Sequence, residues 1–317
     1  MKHNERQSIM FLKRLVIKAE LLIRFCGFVC VLLFASFACA NKKDSTGTVK
    51  LYSDVPVGKI GEVTLTIDIA SAHTAGNTAK PALVIIHGGA WRRGSKESKR
   101  KSIEGYASKG FVGAALMYRF APDYTFPAQV EDVKAAIRFL KANAATYGID
   151  PNRIIVLGSS AGAHLAAMLA VTGNNDPFAT HGLWERENAS IFAAVLLAGP
   201  LAEFEHPSYR NNQSLAMFLG AKPSDAPELA AAAMPITYVD ETDSPMFIAH
   251  GDADTVVNVQ ASRVFASALA KEKVKYEYRE LAGAGHAIAK THPDIYKQAL
   301  QFIKQLIAEA NKKQAGK

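Results

Sequence analysis

Five short runs of nearly unbroken apolar residues constrain this chain more than any other feature: 82–86, 111–117, 154–157, 192–198 and 246–249. A strand that is apolar on both faces must be covered on both faces, as a parallel strand between two helical layers is. Helical patterns separate the runs. One helix is predicted from Pro127, whose fixed φ suits a first turn. It carries Val130, Val133, Ile137, Leu140 and Ala144 on one face, and Gly148 followed by Pro151 closes it. A last helix places Ile295, Ala299, Phe302, Ile303, Leu306 and Ile307 on one stripe. Val63, Leu65, Ile67 and Ile69 alternate with polar residues, which predicts a half-exposed strand. Strands alternating with helices give an α/β fold, a mostly parallel central sheet with helices on both faces. In such sheets ligands bind at the carboxyl ends of the strands. Residues 199–243 break the alternation with prolines and an alanine-rich stretch, and are predicted to form a small cap insertion over those ends.

The first forty residues differ from the rest. Lys13, Arg14, Lys18 and Arg24 precede an uncharged apolar run, residues 25–37, and then Ala38-Cys39-Ala40. A basic flank, a short apolar core and small residues at a cleavage site describe an export signal, and the run is shorter than the roughly 18 residues that span a bilayer. The expected organisation is a signal peptide at 1–40, a polar tether at 41–48 and one domain at 49–312, exported to the periplasm or beyond. A second reading has Cys39 lipidated, and membrane attachment follows only from that or from retention of the leader. Cys26, Cys30 and Cys39 are the chain's 3 cysteines, so cleavage after Ala40 leaves no disulfide, thiolate nucleophile or cysteine-bound metal. The formal charge is +8, but six Lys/Arg and two Asp/Glu lie in the leader, so the remainder carries only +4. With no basic face or nucleic-acid motif, nucleic acid is not an expected partner.

Gly158-Ser159-Ser160-Ala161-Gly162 follows the run 154–157 and opens a helix bearing Leu165, Met168 and Leu169. Strand, G-x-S-x-G and helix together are the setting of a nucleophile elbow, whose tight turn needs small residues on either side of the serine. Gly158 and Gly162 flank Ser160 in that way, whereas Ser159 would have Leu157 and Ala161; Ser159 is instead a candidate lining residue. A serine hydroxyl needs a base, expected downstream after the acid. His286 stands in a glycine-rich loop after the predicted strand Val274–Glu280 and is the favoured base. His250 ends a buried strand and is expected to pack there; His292 is expected at the surface. The acid lies in His250-Gly251-Asp252-Ala253-Asp254. Position leaves Asp252 and Asp254 both open, since Asp252 could equally close a turn through backbone amides. No ligand spacing for a metal accompanies these acids. Oxyanion donors are expected from the Ala161 amide and from His87-Gly88-Gly89-Ala90-Trp91, after the run 82–86. Trp91 reads equally as acyl-pocket wall or as core. His164, inside the helix after Ser160, is expected to be a buried, satisfied histidine directed away from the elbow.

Assembled, these segments resemble the α/β-hydrolase esterases over nearly the whole region after the leader, and most closely the bifunctional feruloyl and acetyl-xylan esterase-like family. The likeness rests on 87–91, on Tyr118-Arg119 followed by Phe126-Pro127-Ala128-Gln129, on Tyr147-Gly148-Ile149-Asp150-Pro151, and on 158–164, 250–257 and 283–286. It implies Ser160, Asp254 and His286 as the catalytic triad, so it selects Asp254 over Asp252. It also implies oxyanion donors at Gly88, Gly89 and Ala161, no cofactor or metal, and a small-molecule or carbohydrate ester as substrate. Ala90 and Ala163 stand where the family often has glycine. His-Gly-Gly-x-Trp is similar to the form found in kynurenine formamidases, which cleave a formamide. A non-catalytic binding relative is opposed by intact Ser160, Asp254 and His286.

Overall fold

The structure, a computed structural model, describes residues 48–72, 78–173, 178, 183–204, 206–209 and 212–316. The expected leader and all but the last residue of the expected tether lie outside these residues. The strands are β1 (Lys50–Ile60), β2 (Val63–Ser71), β3 (Lys80–Ile86), β4 (Val112–Leu116), β5 (Ile149–Ser159), β6 (Ala193–Leu197), β7 (Met246–Gly251) and β8 (Tyr276–Leu281). The helices are α1 (Arg100–Ala107), α2 (Ala128–Ala142), α3 (Ala144–Tyr147), α4 (Ala161–Thr172), α5 (Gln213–Leu219), α6 (Pro227–Ala232), α7 (Gln260–Lys271) and α8 (Ile295–Ala315). All of these elements belong to one unit, Thr46–Lys317.

The eight strands form one sheet in the order β1-β2-β4-β3-β5-β6-β7-β8. β2 pairs antiparallel with β1 and β4, and every other pair is parallel. Each of the five apolar runs is a parallel strand, for the reason the sequence suggests. In β3, Ala82, Val84 and Ile86 face one apolar cluster with α2 and α4, while Leu83 and Ile85 face a second with α1 and α8. α4 is buried along its whole length, as its near-continuous apolar sequence requires. From β3 the chain passes to β4 on one side and later to β5 on the other. That reversal makes a crevice at the carboxyl ends of β3 and β5, where open parallel sheets take ligands.

Three local readings change. β2 alternates only at its start; Asp68 within it is fully buried, because Arg100 Nε lies 2.6 Å and Lys96 Nζ 3.4 Å from its carboxylate. A buried charge is tolerable when paired in this way. The helix predicted from Pro127 breaks at Asn143, whose side-chain amide donates to Phe139 O at 2.9 Å, and a short α3 runs on to left-handed Gly148. β1 gave no sequence pattern. It is a largely exposed edge strand with register shifts near Asp54 and Pro56, and such irregularities erase the two-residue period that would reveal it.

The described part of residues 199–243 carries α5, α6 and three short 3₁₀ turns, Pro207–Tyr209, Pro223–Asp225 and Pro235–Tyr238. Phe204, Leu215, Phe218, Leu219 and Ala230 bury into the same cluster as α4. Among the described residues no helix is long and apolar enough to cross a membrane.

Candidate active site

β5 runs straight into α4 with one residue between them. That residue, Ser160, has φ 56° and ψ −126°, backbone angles that cost of order 1–3 kcal/mol and persist only where the surroundings over-determine them. Here they do. Ser160 N donates to Leu197 O at 2.9 Å, and its carbonyl accepts from Ala163 N at 2.9 Å and His164 N at 3.1 Å. The turn closes because the flanking residues lack side chains: a Cβ on Gly158 would sit 2.0 Å from Gly162 O, and one on Gly162 would sit 2.2 Å from Ile86 O. The hydroxyl therefore stands at the amino end of α4, where the helix dipole favours negative charge.

The loop after β3 lies against this turn. A Cβ on Gly88 would come 2.7 Å from Ser159 O and 3.3 Å from Ser160 Cβ, so only a bare backbone fits beside the elbow. Gly89, at φ 122°, turns the chain, and its carbonyl accepts from Arg92 N and Arg93 N at 3.1 and 3.2 Å. Ala90 and Trp91 also hold positive φ, 56° and 58°, so the third position of this loop adopts the left-handed conformation although it is not glycine. Among the described residues, no turn or loop hydrogen bond uses the N–H of Gly88, Gly89 or Ala161. Unengaged donors on Ala161 and on the loop packed against Ser160 suit a developing oxyanion.

Trp91 holds the loop from behind and is both wall and core. It is buried, its ring stacks on Phe218 at 4.3 Å between centroids, and it also lines a cavity with Ser160. Its indole N–H donates to His164 Nδ1 at 3.2 Å, and His164 Nε2 donates to Ala233 O at 2.7 Å. His164 is thus buried and satisfied, but it is not directed away from the site's surroundings; it ties the loop after β3 to residue 233. Burial lowers its pKa from 6.5 to about 4, against the carbonyl of Ala233, which raises it. The unfolded chain takes up this proton below about pH 6.5 and the folded chain only below about pH 4, so stability falls with pH across that window. Thermal unfolding from pH 7 to 4 is expected to show a loss of about 3 kcal/mol from this group, absent in His164→Asn. Superimposable pH profiles for the two proteins would assign the loss elsewhere.

The loops after β7 and β8 meet at the same rim. His286 Nδ1 donates to Asp254 Oδ2 at 2.7 Å, which leaves Nε2 unprotonated and able to accept. Asp254 has a fully buried side chain. Burial pushes its pKa up, but hydrogen bonds from His250, His286 and the amides of Val257 and Val256 prevail and hold it well below the usual carboxylate range. Asp252 instead accepts from Gly283 N at 2.7 Å, closing the turn that carries His286. His250 does more than pack: its Nε2 lies 3.2 Å from Asp254 Oδ2, and its Nδ1 accepts from Ser262 Oγ at 2.7 Å. Sequence reasoning missed that role; His250 and Asp254 stand on either side of the turn that ends β7. His292 is half-buried, and its Nδ1 bonds the neighbouring Thr291 hydroxyl.

The structure thus brings Asp254 and His286 into direct contact, while among the described residues no hydrogen bond joins His286 to Ser160. Neighbouring strand ends relate them: Ser159 pairs with Leu197, Leu197 with Ala249, and Gly251 with Leu281. Nucleophile–base contacts are commonly long before substrate binds. Ser160, Ala161, Trp91, Phe204, Val256 and Val257 share a cavity of about 90 Å³, so the serine shares a wall with the residues whose amides hold Asp254. Ser159 does not line it. It lines a second cavity of about 390 Å³ that also touches Gly88.

Residues 67–269 match the BD-FAE family. Esterase LipQ of Mycobacterium tuberculosis is 33% identical over 74% of this chain and 56% of its own length. A carbohydrate esterase from gut microbiota superposes with a TM-score of 0.74 at 27% identity, covering 83% of this chain and 98% of its own. Esterase 2 of Thermogutta terrifontis, with propionate bound, gives 0.65 at 27% identity over 84% and 96%. The chain spans little more than half the length of the mycobacterial relative. With its sheet, crossovers and elbow in place, the chain belongs to the BD-FAE family of the α/β-hydrolase superfamily.

Proposed function

We propose that this protein is a serine esterase that cleaves short-acyl carboxylic esters, carbohydrate esters among them, through an acyl-enzyme on Ser160. The observation that carries the reading is the 2.7 Å contact between Asp254 and His286 Nδ1, on the same sheet rim as a strained serine with unengaged amides around it. In this reading Ser160 Oγ attacks the ester carbonyl as His286 Nε2 takes its proton. The amides of Gly88, Gly89 and Ala161 receive the negative oxygen. His286 then gives the proton to the departing alcohol, and a water repeats the sequence on the acyl group. The buried charge of Asp254 holds the imidazole in one tautomer and stabilises it when protonated. The export signal expected at residues 1–40 fits an ester met outside the cytoplasm.

The acyl group is proposed to enter the cavity beside Ser160. At about 90 Å³ it is far smaller than the roughly 300–1,000 Å³ of sites that hold drug-sized ligands, which favours acetyl and similar groups. The relatives named carbohydrate esterase and propionate-bound esterase support the same choice. Rates on 4-nitrophenyl acetate, butyrate and octanoate, an acetylated xylo-oligosaccharide and N-formylkynurenine test it. Acetate is expected to exceed octanoate in kcat/KM by tenfold or more, at about 1.4 kcal/mol per tenfold. Preference for octanoate would remove the short-acyl assignment, and faster cleavage of the formamide would remove the esterase one.

A further inference from the structure

The second cavity, on the other side of the elbow, is built differently. It lies between α1 and the start of α8 at the carboxyl ends of β3 and β5. Lys99, Lys101 and Lys109 line it together with Tyr106, Tyr296 and Ser159, and no Asp or Glu does. Among the described residues none of these lysines forms an ion pair, although Lys96 and Arg100 on the neighbouring stretch are engaged with Asp54, Asp68 and Glu97. Lys109 lies 5.7 Å above the Tyr106 ring, which holds its ammonium beside the cavity without neutralising it. Asp54, Asp68 and Glu97 are thus used to balance other cations, Glu104 on α1 does not line the cavity, and three lysines remain for one opening.

The position of the opening matters as much as its charge. Gly88 lines it, and a Cβ on Gly88 would come 3.3 Å from Ser160 Cβ. Gly88 is thus common to this opening and to the backbone packed beside Ser160, the route by which the alcohol portion of a substrate held at Ser160 would reach the lysines. About 390 Å³ falls in the range of sites that hold a small organic ligand, so one sugar unit fits.

The geometry points to an anion-binding subsite for the alcohol portion of the substrate: an acidic sugar unit, its carboxylate facing Lys99, Lys101 and Lys109 and its ring beside Tyr106 and Tyr296. This rests on the esterase reading above and narrows it to esters on uronate-bearing carbohydrates.

The test compares an acetylated xylo-oligosaccharide that carries glucuronic acid with its neutral counterpart. The wild type is expected to favour the acidic substrate in kcat/KM by about tenfold at low salt, the effect of one charge-assisted contact. That ratio should shrink toward one in 0.5 M salt, since partly exposed charges are screened. K101E combined with K109E is expected to bring the ratio to one or below. A wild-type ratio near one at low salt, or a ratio unmoved by the double substitution, would overturn the subsite. Calorimetry of the unacetylated acidic and neutral oligosaccharides on Ser160→Ala reads the pocket without turnover, with the acidic one expected about tenfold tighter and equal Kd values overturning the subsite. If no ester is turned over by the wild type, the esterase reading falls, and this binding difference still decides the pocket.

Discussion

Ser160→Ala is expected to lower kcat on 4-nitrophenyl acetate by roughly 10⁴–10⁶-fold, the scale on which removing a serine nucleophile acts in other hydrolases. The structure explains why no neighbour should substitute. Ser160 alone occupies the turn between β5 and α4, at φ 56°, with the oxyanion candidates around it. Ser159 belongs to the last pair of β5 with β6 and lines the other cavity, so Ser159→Ala should change kcat by less than about tenfold. KM for the nitrophenyl ester should change little in either protein, because the hydroxyl acts in the transition state rather than in binding. The substitution keeps the Cβ and removes only the hydroxyl oxygen, so loss of activity with an unchanged circular dichroism spectrum and Tm would be loss of the nucleophile and not of the fold.

Asp254→Asn is the second large effect, with kcat expected to fall by roughly 10⁴-fold, as when the acid of a serine triad is made neutral. Asp254 Oδ2 accepts from His286 Nδ1 at 2.7 Å and from His250 Nε2 at 3.2 Å, while Oδ1 accepts from the amides of Val256 and Val257 at 2.8 and 3.0 Å. An asparagine has one oxygen and one N–H₂ for those four donors. With its oxygen kept on the two amides, its N–H₂ faces two imidazoles. His286 would then accept at Nδ1 and carry its proton at Nε2, the wrong atom for a base. Asp252→Asn is expected to cost less than about tenfold, because Asp252 holds only the Gly283 amide. Comparable losses in the two variants would contradict the assignment.

Much of this was legible in the sequence, for identifiable reasons. Short apolar runs rich in Val, Ile and Leu and set between helical patterns read as buried parallel strands, and β3 to β7 are where those runs lie. The elbow was legible because a serine at positive φ between a strand and a helix requires glycine at fixed offsets. The choice between Asp252 and Asp254 was not legible from position, since both follow β7; only the contact with His286 separates them. His250 was invisible as a partner of Asp254 because its apolar strand context speaks for packing, and a hydrogen bond at i+4 across a loop leaves no periodic trace. The engagement of His164 with Trp91 was hidden likewise, since it joins residues 73 positions apart. β1 escaped because an exposed edge strand need not alternate.

The central claim, that Ser160 is an activated nucleophile, is tested most directly by covalent labelling with a fluorophosphonate probe followed by peptide mass spectrometry. The account predicts one adduct per chain, on Ser160, and none in Ser160→Ala. An adduct on Ser159 or on any other residue, or a folded wild-type protein that takes no label, would contradict it.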